Sequence, residues 1–190
     1  MRYILTILAI FFLANFQDSL AQEGKTALIL IDIQEFYFDE NKMPLEGNLE
    51  AAENAAKVQD YFRKNDLLIV HIRHKGGGDI HPLVKPLEGE KVIEKQQVNS
   101  FRDTELDEFL RKNGITDLIL AGMQTQMCLE AATRAGDDLG YNCTVIHDAC
   151  ASRDLEFEGY IVKAKDVHMS TLNTLKAYAN VISTKTFLEQ

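Results

Sequence analysis

The sequence predicts an α/β fold, a three-layer αβα sandwich, from two features of its patterning. Short, nearly continuous apolar runs recur along the chain, as strands buried on both faces require. Segments with one apolar face at helical spacing lie between them. Strand–helix–strand alternation implies parallel pairing with right-handed crossovers, so helices cover both faces of one sheet.

The first segment stands apart. Arg2, an apolar run from Tyr3 to Phe16, and Ser19-Leu20-Ala21 form a secretory leader over residues 1–21, cleaved after Ala21; an uncleaved anchor is the alternative. The apolar run is short for the ~20 residues of a membrane span, so stable anchoring after cleavage is not expected. Residues 22–190 then form one domain, with no Gly/Pro linker or repeat dividing it. The strands expected are 26–32, 66–72, 117–122, 143–148 and 180–184, with a weaker edge candidate at 90–95. Ala51, Ala55, Val58 and Phe62 mark one face of a helix over 49–64. Residues 103–114 start acidic, end basic and stop at Asn113-Gly114, the polarity a helix dipole favours. Further helices are expected over 126–139 and near 170–179. Gly76-Gly77-Gly78 lies in a long loop from Arg73 to Glu90, of the kind that lines or covers a site.

A net charge of −9 and the lack of a basic patch exclude a nucleic-acid binder. Three cysteines leave at least one thiol unpaired, even in an oxidising compartment. Cys143 falls in a strand and Cys150 just past its end. That separation exceeds the ~5.5 Å Cα spacing of a disulfide unless the chain turns sharply after Asp148.

Parallel sheets bind ligands beyond the carboxyl ends of their strands, which directs attention to Asp32, Lys95 and Cys128. Asp32 ends a buried strand, where a carboxylate either caps a turn or acts as a base of raised pKa. Lys95 is either a solvated edge lysine or a cation aimed at a thiolate. Cys128 precedes Ala132, Ala135 and Leu139 on the apolar stripe of a small-residue helix. A buried core thiol would satisfy this pattern. So would a nucleophile whose pKa the helix N-terminus lowers below ~8.5.

Together "ALILIDIQEFYF", the stretch from "EKQQVNSF" through "GMQTQMCLEAATRAG" to "HDACASRD", and "VHMSTLNTL" resemble the isochorismatase-like cysteine hydrolases. That group includes nicotinamidases, N-carbamoylsarcosine amidases and ureidoacrylate amidohydrolases, and the agreement runs from about Thr26 to Phe187. The resemblance implies a Rossmann-like, six-stranded, mainly parallel sheet in the order 3-2-1-4-5-6. It also implies an Asp32–Lys95–Cys128 triad, a cis peptide at Met123-Gln124, and an oxyanion hole from the N–H groups of Gln124 and Cys128. The activity implied is hydrolysis of a small amide or carbamoyl compound through a thioester, without a cofactor, by a homo-oligomer. Gln34, Phe36, Tyr37, His74, Phe101 and Met123 are the expected pocket lining. Asp79-Ile80-His81 imitates the metal-ligand pattern of nicotinamidases but lies well down the glycine loop, so no metal is expected. A cysteine at position 128 favours amide over the ether hydrolysis of isochorismatases proper; a non-catalytic binding protein on the same fold is the third reading.

Overall fold

Alternate residues of each central strand feed two separate cores, one on each face of a six-stranded sheet. The computed structural model describes residues 25–189, so the expected leader at 1–21 lies outside the described residues. Strands β1 (Lys25–Ile31), β2 (Leu68–His74), β3 (Lys91–Lys95), β4 (Ile115–Met123), β5 (Asn142–Ala151) and β8 (Ala179–Ile182) lie in the order 3-2-1-4-5-8. All five pairings are parallel. The spatial order matches the expectation, and the sixth strand is eighth in the chain because a two-stranded hairpin intervenes. That hairpin, β6 (Leu155–Phe157) with β7 (Tyr160–Val162), was not expected from the sequence.

Helix α1 (Asn48–Lys64) covers one face, burying Ala51, Ala52, Ala55, Val58 and Phe62 against Leu28, Leu30, Ile69 and Ile119. The short C-terminal helix α5 (Thr184–Leu188) joins it through Phe187, which stacks 6.0 Å from Phe62. On the opposite face, α2 (Leu106–Lys112), α3 (Glu130–Asp138) and α4 (Ala164–Leu175) bury Leu106, Leu110, Ala132, Leu172 and Leu175 against Ile29, Ile31, Val70, Leu118 and Leu120. Among the described residues no helix is long and apolar enough to cross a membrane.

Two boundaries differ from the sequence reading. The helix expected near 170–179 is α4, which begins six residues sooner at Ala164 and ends at Leu175. Strand β5 runs on to Ala151, placing Cys150 within it. Its register against β4 shifts there: Leu120 faces Val145, whereas Gly122 faces Cys150. Cys143 and Cys150 are both buried and unpaired, as expected.

Candidate active site

Three strand ends converge at the carboxyl edge of the sheet. β1 hands on to Asp32, whose φ of +50° takes the chain out of the strand while its N–H still reaches Ile72 O at 3.0 Å. β3 ends in Lys95. β4 ends at Met123, followed by a cis Met123-Gln124 peptide and a wide π-type turn, Thr125–Leu129, that carries Cys128 into α3. The approach of β4 to β1 requires Gly122: its φ is +138°, and a Cβ there would stand 2.0 Å from Ile31 O.

These ends bury a cation among three side-chain acceptors and two backbone carbonyls. Lys95 Nζ lies 2.7 Å from Asp32 Oδ2, 3.2 Å from Cys128 Sγ and 3.2 Å from His74 Nδ1, and donates to the carbonyls of Gln97 (3.0 Å) and Val98 (3.3 Å). Asp32, Lys95 and Cys128 are at most 5% exposed. Beyond the ion pair, the Asp32 oxygens have no hydrogen-bond partner among the described residues. Burial raises the Asp32 pKa, and the Lys95 charge only partly opposes it. Burial and then the Asp32 charge push the Cys128 thiol up to about 12, against the pull of Lys95. The sequence suggested the opposite shift. The π turn holds Cys128 inside the protein beside a carboxylate, and that environment outweighs the helix dipole. The environment favours the neutral thiol, with a carboxylate oxygen of Asp32 within 4.8 Å of the sulfur.

A cavity of about 370 Å³ opens above Cys128, with Gln34, Phe36, Tyr37, Met43, His74, Gln124 and Arg153 among its lining. The atoms of Asp32, His74 and Cys128 that could ligate a metal lie within 4.8 Å of one another. The Lys95 ammonium already touches all three, so a divalent ion at that point would meet a fixed positive charge.

A model of the isochorismatase domain matches residues 26–186. The chain belongs to the isochorismatase family. It is 39% identical over 178 residues to the isochorismatase family protein YddQ of Bacillus subtilis, covering 86% of this chain and 99% of that one. It is 30% identical over 132 residues to a ureidoacrylate amidohydrolase of Acinetobacter baylyi, covering 68% of this chain and 49% of that protein. The crystal structure of an isochorismatase-family protein from Oleispira antarctica superposes with a TM-score of 0.85 at 44% identity, over 90% of this chain and all of the other.

In this isochorismatase-family hydrolase most of the expected lining meets at the cavity. Phe101 and Met123 do not. Phe101 stacks 6.0 Å from Tyr141 against one core, and Met123, fully buried, belongs to the other. Gln34 lines the cavity with an amide that is already engaged. Its Nε2 donates to His74 O (3.1 Å) and Gly78 O (2.8 Å), and its Oε1 accepts from His74 N at 2.7 Å. It ties the glycine loop to β2, and a Cβ at Gly77 would lie 2.6 Å from its Nε2. Asp79 and His81 serve the same loop: Asp79 faces Arg73 at 3.7 Å, while His81 stacks on Phe38 and accepts from Leu83 N. His71 bonds Glu90 inside the fold, and Asp148 accepts from Thr184 N and Oγ1 at the start of α5. Met43 and Arg153 are cavity residues that the sequence reading passed over.

Proposed function

We propose that the protein is a cysteine-dependent amidohydrolase that cleaves a C–N bond of a small amide or carbamoyl compound with Asp32, Lys95 and Cys128. The observation that carries this reading is the Lys95 ammonium, 2.7 Å from the Asp32 carboxylate and 3.2 Å from the Cys128 sulfur on the floor of the cavity. The kinship with a ureidoacrylate amidohydrolase supports the same bond class.

Asp32 accepts the Cys128 proton as the sulfur attacks the carbonyl carbon, and Lys95 holds the new charge arrangement. The backbone N–H groups of Gln124 and Cys128 receive the oxyanion of the tetrahedral intermediate. Asp32 returns the proton to the leaving nitrogen, which departs as ammonia or an amine and leaves a thioester. Asp32 then takes a proton from water as the water's oxygen attacks, releasing the acid and restoring the thiol. The test is ammonia release across a panel of small amides and carbamoyl compounds. Cys128→Ser should abolish release at an unchanged melting temperature; release that survives the substitution refutes the mechanism.

The protein is further proposed to be exported, on the leader pattern of residues 1–21. It is also proposed to self-associate. The hairpin supports this with Phe157 77%, Tyr160 74% and Ile161 56% exposed. Phe157→Glu with Tyr160→Glu should lower the mass measured by light scattering, and a monomeric wild type would end that proposal.

A further inference from the structure

Gln124 directly follows β4 and lines the cavity above Cys128, although it is only 2% exposed. The proposed mechanism uses its backbone N–H alone. Its side chain ends a row of polar groups. Ser152 Oγ donates to Gln126 Oε1 at 2.7 Å, and Gln126 Nε2 donates to Gln124 Oε1 at 2.7 Å. Ser152 is itself pinned: it is buried, and its carbonyl accepts the N–H of Glu46 at 2.9 Å in an isolated bridge. The row turns the oxygen of the Gln124 carboxamide to Gln126 and leaves its Nε2 beside Met43, another residue of the cavity. The acceptor that Nε2 meets there, among the described residues, is the Met43 thioether, with Sδ at 3.4 Å. A thioether is a weak acceptor, so a buried amide with two N–H groups is left under-satisfied at the wall of the site.

The direction of the row matters, because a carboxamide turned about presents an acceptor instead of a donor. The Ser152 hydroxyl can donate or accept and does not decide it. Met43 does. Its sulfur offers lone pairs, which attract an N–H at that distance and repel a carbonyl oxygen. Gln126 is not part of the cavity lining, so it acts on the site through the direction in which it holds Gln124.

We infer that the Gln124 side chain determines specificity by donating an Nε2–H to an acceptor oxygen of the substrate beside the carbonyl under attack, and that Gln126 is the positioning residue that holds it donor-first. This rests on the amidohydrolase reading for the group placed over Cys128, while the donor itself stands on the row from Ser152 to Gln124.

Two neutral amides on one four-carbon skeleton test it. 3-Oxobutanamide carries an acceptor oxygen one carbon removed from the amide carbonyl, and butanamide carries none. The first readout is protection of Cys128 from iodoacetamide in the full-length protein, which needs no turnover; Cys128→Ser gives the background. 3-Oxobutanamide should protect at a concentration about three- to tenfold lower than butanamide, the range expected of one neutral hydrogen bond. Gln124→Leu should erase that difference. Gln126→Glu keeps the size of the side chain but supplies only acceptors. Gln124 must then donate to it and turn its own oxygen to the cavity, so the preference should be lost or reversed. Comparing the two amides within one variant cancels any change in thiol reactivity that the new charge brings, and a merely structural role for Gln126 would leave the ratio where it was. Equal protection by the two compounds in wild type, protection by neither, a preference that survives Gln124→Leu, or one unchanged in Gln126→Glu overturns the inference. Ammonia release is the second readout. A preference that Gln124→Leu abolishes, without ammonia from either compound, would leave the specificity assignment standing and remove the amidohydrolase reading.

Discussion

Lys95 has three N–H donors and five acceptors within 3.3 Å, so no bond of the cluster is fixed without the others. Because an ammonium can only donate, His74 accepts through Nδ1 and carries its own proton on Nε2. The balance of these charges predicts the pH profile. The proposed mechanism requires Asp32 as carboxylate and Cys128 as thiol in the free enzyme. Burial raises Asp32, so kcat/KM should fall on the acid side with a midpoint above the ordinary aspartate value of 3.8. The thiol's proton is held to about 12, so no matching fall is expected across neutral pH. Lys95→Met removes the charge that opposes burial at Asp32, and the acid limb should move to higher pH still. Stability should follow the same group. The folded Lys95→Met protein retains a proton that the unfolded chain releases, so its melting temperature should drop as pH rises through the Asp32 range, by about 3 kcal/mol of stability once the buried charge is unpaired. An acid limb at the same pH in wild type and Lys95→Met would remove Lys95 from the catalytic cluster.

The turn that presents Cys128 is held by elements far from it in sequence. Thr125 Oγ1 donates to Ala151 O at 3.0 Å, which leaves it to accept the N–H of His168 Nδ1 at 2.9 Å. One hydroxyl thus joins the π turn, the end of β5 and α4. Thr125→Val would strand a buried carbonyl and an imidazole N–H, costing about 1–3 kcal/mol in chemical denaturation and, by loosening the turn, about tenfold in kcat. A loss of stability at full kcat would show that the turn keeps its shape without the bond. The glycine loop has its own clasp in Glu90, which takes Arg63 at 2.7 and 2.9 Å, His71 at 3.0 Å and Leu87 N at 2.9 Å. Burial would raise this carboxyl, but these donors together lower it to about 2. Its stabilisation is complete above the ordinary value near 4.5 and fades as pH falls toward 2. Glu90→Gln should therefore cost about 1–2 kcal/mol at neutral pH, less than the full shift because the group is partly solvated, and almost nothing near pH 2. These elements also show where local sequence stops informing. The apolar runs of β1 and β4 were legible, and with them Asp32 and Cys128 at their ends. The start of α4 was not, because Ala164 N is capped by Asp154 from ten residues upstream, at 2.8 Å. The hairpin turn does carry a signal, Glu158-Gly159 with φ of 51° and 80°, but its strands of three residues are too short to show a period. Arg153 was passed over because β5 was expected to stop at 148. A strand end at Ala151 would have directed attention to it by the same rule that found Lys95.

At the scale of the whole molecule, the proposed export would require that three cysteines be kept from oxidising, and the fold supplies the means. Cys143 and Cys150 lie seven residues apart on one strand. Cys143 faces Leu118 and Cys150 faces Gly122, four residues apart on β4, so roughly 13 Å separates them, and each thiol bonds a carbonyl of the interior, Thr133 O at 3.7 Å and Ile146 O at 3.2 Å. Burial pushes both up to about 12, as it does Cys128, so access rather than thiolate content sets the three apart. Cys128 is equally buried as a residue but sits at the base of an open cavity, where a small reagent can reach it. The protein recovered from an export-competent host should begin at Gln22, and its intact mass should not change on reduction. Under native conditions one thiol should react with iodoacetamide, the one lost in Cys128→Ser, and in denaturant all three should react. A mass two units lower before reduction would mean that Cys143 and Cys150 had paired. Their strand would then have to fold back where the register shift between Leu120 and Gly122 already loosens it from β4, so β5 would have two arrangements, of which the all-thiol form is the one that holds Arg153 over the cavity.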